Sequence, residues 1–222
     1  MTTVIIVLVV LVGFGVIAVL QSHLKRKRME AWQAQAVRMG FGFEGISRLE
    51  HEFHGFKLFS QGHGRRSRNV LRGQFQGVTT IVGEYLYTTG SGKNRHRHRQ
   101  TVFIFENPSY ALPHCFLRRE SRLFDSLGKL FGGQDINFEE DPEFSKAFVL
   151  QGADEDAVRM LFDWELRKGF MAQRGRSLQF EAYGRTLVVH WGIVVSPESI
   201  ESQLQEAYQL MSLFNDASKR QY

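Results

Sequence analysis

An unbroken apolar run from Val4 to Leu20 is followed almost at once by the cationic cluster Lys25-Arg26-Lys27-Arg28. That pairing constrains the chain more than any other feature of it. At about 1.5 Å of rise per residue the run makes a helix roughly 25 Å long, near the lower bound of what spans a hydrocarbon core. Val, Ile, Leu and Phe fill almost all of it, so insertion into lipid is expected to be favourable by several kcal/mol. A cleaved signal peptide would carry its positive charge before the run, and a buried core helix would show a polar stripe. Neither is present. The expectation is a transmembrane anchor over residues 1–22 and an amphipathic juxtamembrane helix over 23–39. Lysines and arginines flanking a span stay cytoplasmic, which places the N-terminus outside and the remainder of a single-pass protein in the cytoplasm. The lone cysteine, Cys115, agrees with a reducing compartment, since it has no internal disulfide partner.

Charge is divided unevenly. The whole chain carries a formal +5, but residues 1–99 sum to +10 and residues 100–222 to −5. A basic first half held beside an anionic leaflet has a ready electrostatic partner in the lipid. Nucleic acid is the competing partner for such a surface; it is disfavoured because the basic segments lack interleaved aromatics.

The remaining residues suffice for one α+β domain over 40–216, with a frayed polar tail over 217–222. Met29, Trp32, Ala36 and Met39 form one helical stripe, which suggests that the juxtamembrane helix docks on the domain, and Gly40 is a stop. The texture then turns to strands over 56–60, 68–76, 78–88, 101–106 and 114–117, the second and third forming a hairpin at Gln76-Gly77. Helices are expected over 121–131, ending at Gly132-Gly133, and from an Asp154 N-cap to about Gly169. Between them a strand over 134–138 leads to the acidic loop Glu139 to Glu143, then to an extended stretch over 147–151. A second hairpin turns at Tyr183-Gly184. The last helix has Ser196 as N-cap and Pro197 at N1, with Ile200, Leu204, Tyr208, Met211 and Phe214 on one side. The fold class expected is thus α+β: a transmembrane helix, then a mainly antiparallel sheet of two hairpins with about three packed helices.

The segments Gly62 to Arg68 and Gly90 to Arg99 are the most unusual local feature. They flank the first hairpin at the end opposite Gln76-Gly77, so Arg65, Arg66, Arg68, Lys93, Arg95, Arg97 and Arg99 should converge on one rim as basic loops. If Arg95 to Arg99 is extended, its arginines share one face and His96 and His98 the other. Such a rim suits anionic lipid headgroups, a phosphorylated ligand or a protein partner, at around 1 kcal/mol per cation near an anionic surface. The opposing reading is a pair of solvated loops. No metal or cofactor is expected. His51-Glu52-Phe53-His54 lacks the spacing that puts two ligands on one helical face, and arginines surround the other histidines. Gly90-Ser91-Gly92-Lys93 fails the phosphate-loop pattern, because Asn94 replaces Ser/Thr and no helix follows. Cys115 next to His114 makes no dyad, as neighbours on a strand point to opposite faces. An alternative function is a hydrolase or transferase on a lipid-borne or phosphorylated substrate, using Arg72 with histidines at the sheet end; it requires a concave pocket lined by His63, His96 or His114 together with Asp or Glu.

The segments Asn69 to Gly73, Gly90 to Lys93, Gln100 to Val102, Gly133 to Phe138 and Pro142 to Ser145 resemble a group of uncharacterised bacterial single-span membrane proteins. The resemblance covers roughly residues 69–170. It implies a bacterial inner-membrane setting and assigns no activity and no site residue.

Overall fold

The computed structural model describes residues 2–120 and 135–220, apart from the side chains of residues 2–10, 12, 216 and 218–220. A single helix, α1 (Thr2–Met39), leads into strand β1 (Gly42–Ser47), the short helices α2 (Leu49–Glu52) and α3 (Lys57–Ser60), and the long strands β2 (His63–Phe75), β3 (Val78–Thr89) and β4 (His96–Glu106). After β5 (Leu112–Arg119) come α4 (Pro142–Ala147), β6 (Phe148–Gly152), α5 (Glu155–Leu161), α6 (Trp164–Met171), the hairpin β7 (Gln179–Gly184) and β8 (Thr186–His190), and α7 (Ile200–Arg220). All eight strands join one sheet in the order β1-β2-β3-β4-β8-β7-β5-β6, and every pairing is antiparallel.

The period-two alternation of the central strands sorts their side chains between two cores. Phe103 and Phe105 on β4, with Leu187 and Val189 on β8, enter the larger core, which α1, α4, α5, α6 and α7 cover. Val102, Ile104 and Val188 point the other way, into a smaller core closed by Leu49, Phe53, Phe56 and Phe59 around α2 and α3. Aromatic rings knit the larger core together: Phe180 stacks on Phe214 at 4.6 Å, and Phe170 meets Phe162 at 5.7 Å. Each fully buried ring or branched side chain contributes roughly 1.5–3 kcal/mol of apolar transfer.

One expectation for α1 is overturned. Among the described residues, no helix is long and apolar enough to cross a membrane. Eight of the seventeen side chains of the Val4–Leu20 run lie outside the described residues, and the helix runs on past its basic cluster for another three turns into the domain. The transmembrane anchor over 1–22, the single-pass topology with its cytoplasmic domain, and the inner-membrane address are therefore overturned. The second half of α1 is a docking helix. Trp32 and Ala36 are buried in the larger core, and Arg38 meets Glu201 of α7 at 3.3 Å. A Schellman arrangement at Gly40 ends it: Gly40 N donates to Val37 O and Phe41 N to Ala36 O.

The sheet differs too. Both expected hairpins form, at Gln76-Gly77 and at Gly184, but as parts of a single eight-stranded sheet larger than the sequence suggested. Residues 57–60 form a helical turn instead of a strand, because Lys57 N donates to both carboxylate oxygens of Glu181, at 2.9 and 2.8 Å. The helix from Asp154 breaks into α5 and α6, each with its own aspartate cap: Asp154 accepts from Ala157 N and Asp163 from Leu166 N. Residues 135–138 are not a strand, though Ile136 N donates to Leu150 O and so covers the edge of β6. The expected helix over 121–131 and its glycine stop lie outside the described residues. Helix α7 runs on to Arg220 with Ala217 buried, where a frayed tail was expected.

His190 closes β8 inside the sheet, and its Nδ1 accepts from Gly192 N at 3.3 Å. Burial pushes its imidazole down to about 3, so the folded protein holds it neutral while the unfolded chain protonates near 6.5. Between these values the unfolded state binds the extra proton, so stability falls with falling pH by about 1.4 kcal/mol per pH unit from this group. Denaturant unfolding of wild type and His190→Gln from pH 7 to pH 4 should show the steeper acid loss in wild type; equal slopes would contradict the assignment.

Candidate anion-binding groove

The site begins with a turn. Gln76 (φ 50°) and Gly77 (φ 81°) both adopt the left-handed region, the requirement of a type I′ hairpin turn, and this fixes Phe75 opposite Val78. From that register β2 and β3 run together to the far end of the sheet, where His63 lies opposite Thr88 and Thr89 opposite His96. The segments read as basic loops are largely strand: β2 starts at His63 and β4 at His96. Only Gly90 to Arg95 forms a connection between strands there. Gly90 holds it closed at φ 71°, where a Cβ would stand 2.1 Å from Asn94 O. The outer half of β4 pairs with β3 alone, since β8 reaches only Val102. The three strands therefore project beyond the rest of the sheet.

A β-bulge decides which way their arginines point. Arg68 lies opposite Glu84 but Leu71 opposite Val82, so β2 carries one extra residue there. Asn69 takes the strain at φ 47°. The insertion lets Leu71 enter the larger core while Arg66 and Arg68, two residues apart, stay on that same α1-bearing face. Arg97 and Arg99 join them, opposite Thr88 and Leu86. These arginines, with Arg95 from the connection, border an open groove of about 350 Å³ whose lining also includes Gly64, Leu86, Tyr87, Thr88 and His98. Arg65 and Lys93 lie outside it; Arg65 donates to Ser60 O on the opposite face.

At the inner end of the groove sits Glu84, whose side chain is 1% exposed. Arg28 of α1 donates through Nε at 2.6 Å and also pairs through Nη2. Arg99 Nη2 reaches both carboxylate oxygens, at 3.0 and 2.9 Å, and Asn69 Nδ2 donates at 3.1 Å. Arg28 further donates to Val195 O, while Val195 N donates to Thr101 Oγ1. One carboxylate thus ties α1, the bulge and two further segments together, and it leaves the cluster with a net positive charge. Among the described residues, Arg66, Arg68, Arg95 and Arg97 have no carboxylate partner. Tyr87 stacks on His98 at 4.5 Å, and Thr89 Oγ1 is 2.8 Å from His98 Nε2. Burial, then the charge of His96, holds His98 below the ordinary histidine range, and burial pushes Tyr87 up to about 12. Both are neutral at pH 7.

The other singled-out residues do not join this groove. Arg72 binds Glu44 at 2.9 Å and Glu52 at 2.6 Å, pinning β1 and α2 to β2, and those hydrogen bonds raise its pKa. His114 Nε2 meets Glu181 at 2.9 Å beneath the ring of Tyr183, but the neighbouring cleft by Lys57 and His190 offers only about 10 Å³, room for one water at most. Cys115 is buried, and burial pushes its thiol up. In the acidic loop, Arg167 pairs with Glu140 and Asp141 and lies over the Phe138 ring, so those carboxylates brace α4 and α6. Among the described residues no group of three or more His, Cys, Asp or Glu is placed to hold a metal ion. Sequence reasoning missed Glu84, Asn69 and Arg28. The available signal was a single carboxylate midway along an otherwise uncharged central strand.

No protein family matches the chain, and no curated protein matches it in sequence. Among solved structures, the crystal structure of the mycobacterial trehalose monomycolate transport factor A, TtfA, is similar in fold. Its TM-score is 0.55 over 86% of this chain and 94% of that chain, at 16% identity. The likeness concerns the fold alone.

Replacing Glu84 by Gln leaves two arginines facing a neutral amide. Unfolding free energy should fall by about 2–3 kcal/mol, below the full range for breaking a buried pair because Arg99 is half-exposed. The groove simultaneously gains a unit of positive charge, so inorganic phosphate should bind more tightly than to wild type. Unchanged stability in denaturant titration, or weaker phosphate binding, would contradict this role.

Proposed function

We propose that the protein is a binding module of the lipid-transport kind, whose groove receives the acidic headgroup of a lipid. The observation that carries this reading is the convergence of Arg66, Arg68, Arg95 and Arg97 on one concave surface without carboxylate partners among the described residues. Their chemistry fits it: guanidinium groups fork onto phosphate or carboxylate oxygens in bidentate fashion. Arg99, steered by Glu84, supplies a fixed fifth donor group. The fold likeness to a protein named as a trehalose monomycolate transport factor adds support from a second direction. A lipid ligand also suits the half-buried Leu86 in the groove wall. The integral, one-span partnership expected from the sequence forms no part of this reading.

The hydrolase or transferase alternative finds little support in the geometry. It asked for a concave pocket pairing histidine with a carboxylate. The groove has His98 but no acidic lining residue, and the His114–Glu181 pair opens onto a space too small for a substrate.

Co-sedimentation of the full chain with vesicles of phosphatidylglycerol and phosphatidylcholine tests the proposal. Binding should weaken steeply as salt rises. Combining Arg66→Ser, Arg68→Ser and Arg97→Ser should raise the lipid concentration for half-binding on the order of a hundredfold, at around a tenfold loss per 1.4 kcal/mol and 1 kcal/mol per cation. Salt-insensitive binding, or binding unaltered in the triple variant, would reject the groove as the headgroup site.

A further inference from the structure

The strand register shows how the cations of the groove are distributed. Arg66 of β2 lies opposite Leu86 of β3, and Leu86 in turn lies opposite Arg99 of β4. Two residues further along β3, Thr88 faces Arg97. With neighbouring strands about 4.8 Å apart, the arginines of β2 and β4 rise from backbones about 10 Å apart. Between them this end of β3 contributes only the uncharged side chains of Leu86 and Thr88. The groove is thus a trough with two basic walls. Arg66 and Arg68 form one; Arg97 and Arg99, with Arg95 just before β4, form the other.

Two separated walls select among anions. A phosphodiester carries one negative charge on two free oxygens, and a single forked guanidinium can take both. It satisfies one wall and leaves the like charges of the other uncompensated. The balance of charge agrees. Among the described residues, Arg66, Arg68, Arg95 and Arg97 have no carboxylate partner, and no acidic residue lines the groove. Glu84, at the inner end, is already committed to Arg28, Arg99 and Asn69. A diphosphate brings at least one further negative charge and presents free oxygens on two linked phosphorus atoms, so each wall can fork onto its own phosphoryl group.

We infer that the acidic group taken by this groove contains two phosphoryl groups, as in a diphosphate ester, one held by the β2 arginines and the other by those of β4. This rests on the headgroup reading and deepens it, since it makes the headgroup a diphosphate and not a single phosphodiester. The outer end of the β2 wall is Gly64, which has no side chain and open space where one would stand. A chain esterified to the diphosphate leaves the trough over that end.

Titration calorimetry of the full chain with inorganic phosphate and inorganic pyrophosphate, at matched ionic strength, tests this. Pyrophosphate should bind about thirtyfold more tightly, the gain from two further cations. Two variants remove one wall each: Arg66→Ser with Arg68→Ser, and Arg95→Ser with Arg97→Ser, all exposed or half-buried positions. Either should bring pyrophosphate down to within about threefold of phosphate. A pyrophosphate preference that survives the loss of a wall would overturn the two-wall assignment. Equal binding of the two anions by wild type, with phosphatidylglycerol vesicles still bound, would overturn the diphosphate and leave the headgroup reading standing. Failure of both anions and of the vesicles would overturn both. Phosphatidylcholine vesicles doped with a polyprenyl diphosphate or with its monophosphate separate the sources. Co-sedimentation favouring the diphosphate supports a lipid-borne group. A pyrophosphate preference in solution without that co-sedimentation would keep the two phosphoryl groups and overturn the lipid as their carrier.

Discussion

A buried carboxylate must be matched by positive charge or it will not stay ionised in a protein interior. Glu84 meets that demand from two distant parts of the chain, Arg28 on the N-terminal helix and Arg99 on β4, with the bulge residue Asn69 completing its hydrogen bonds. Much of the molecule's organisation follows from this requirement. The helix is held against the sheet at one defined rotation, with Trp32 and Ala36 facing the larger core. The bulge is held in register. Arg99 is held on the carboxylate instead of sweeping through solvent. A single ionic node therefore connects the docking of α1 with the shape of the arginine face.

The groove shows how a sheet end becomes a binding surface. Three strands outrun their neighbours, so their ends carry arginines that no opposing sheet or helix has to bury. Strand geometry then gives what a loop would not: side chains at alternating positions share a face, spaced by the pleat, on a backbone held by ladder hydrogen bonds. A cluster of like charges this dense is costly unless an anion joins it. The protein offsets part of that cost internally with Glu84 and leaves the remainder as binding potential. The local electrostatics suit an anionic ligand.

Parts of this were legible in the sequence, and the reasons are physical. The first hairpin could be placed because Gln76-Gly77 is a turn pair between two β-rich runs. Its geometry then put the arginines at one end without any tertiary information. Helix α7 could be placed because Pro197 and a 3.6-residue apolar period mark it. What escaped was set by long-range partners. Residues 57–60 look like a strand by composition, yet the Glu181 carboxylate, far away in sequence, caps them into a helical turn. The Gly62–Arg68 and Arg95–Arg99 segments look like loops because charge and glycine mimic turn composition; pairing with β3 makes them strands. The break between α5 and α6 follows from Asp163, which caps a new helix inside what reads as one apolar period. For α1, the apolar run reads as a membrane span, whereas the stripe carrying Trp32 and Ala36 marks the half that packs on the domain.

The central claim is that Arg28 and Glu84 act as one unit joining helix to groove. A double-mutant cycle on the full chain, using Arg28→Met, Glu84→Gln and both together in equilibrium denaturation, measures that directly. The account predicts a coupling energy of about 1 kcal/mol or more. Single-variant effects that simply add, within about 0.3–0.5 kcal/mol, would contradict it.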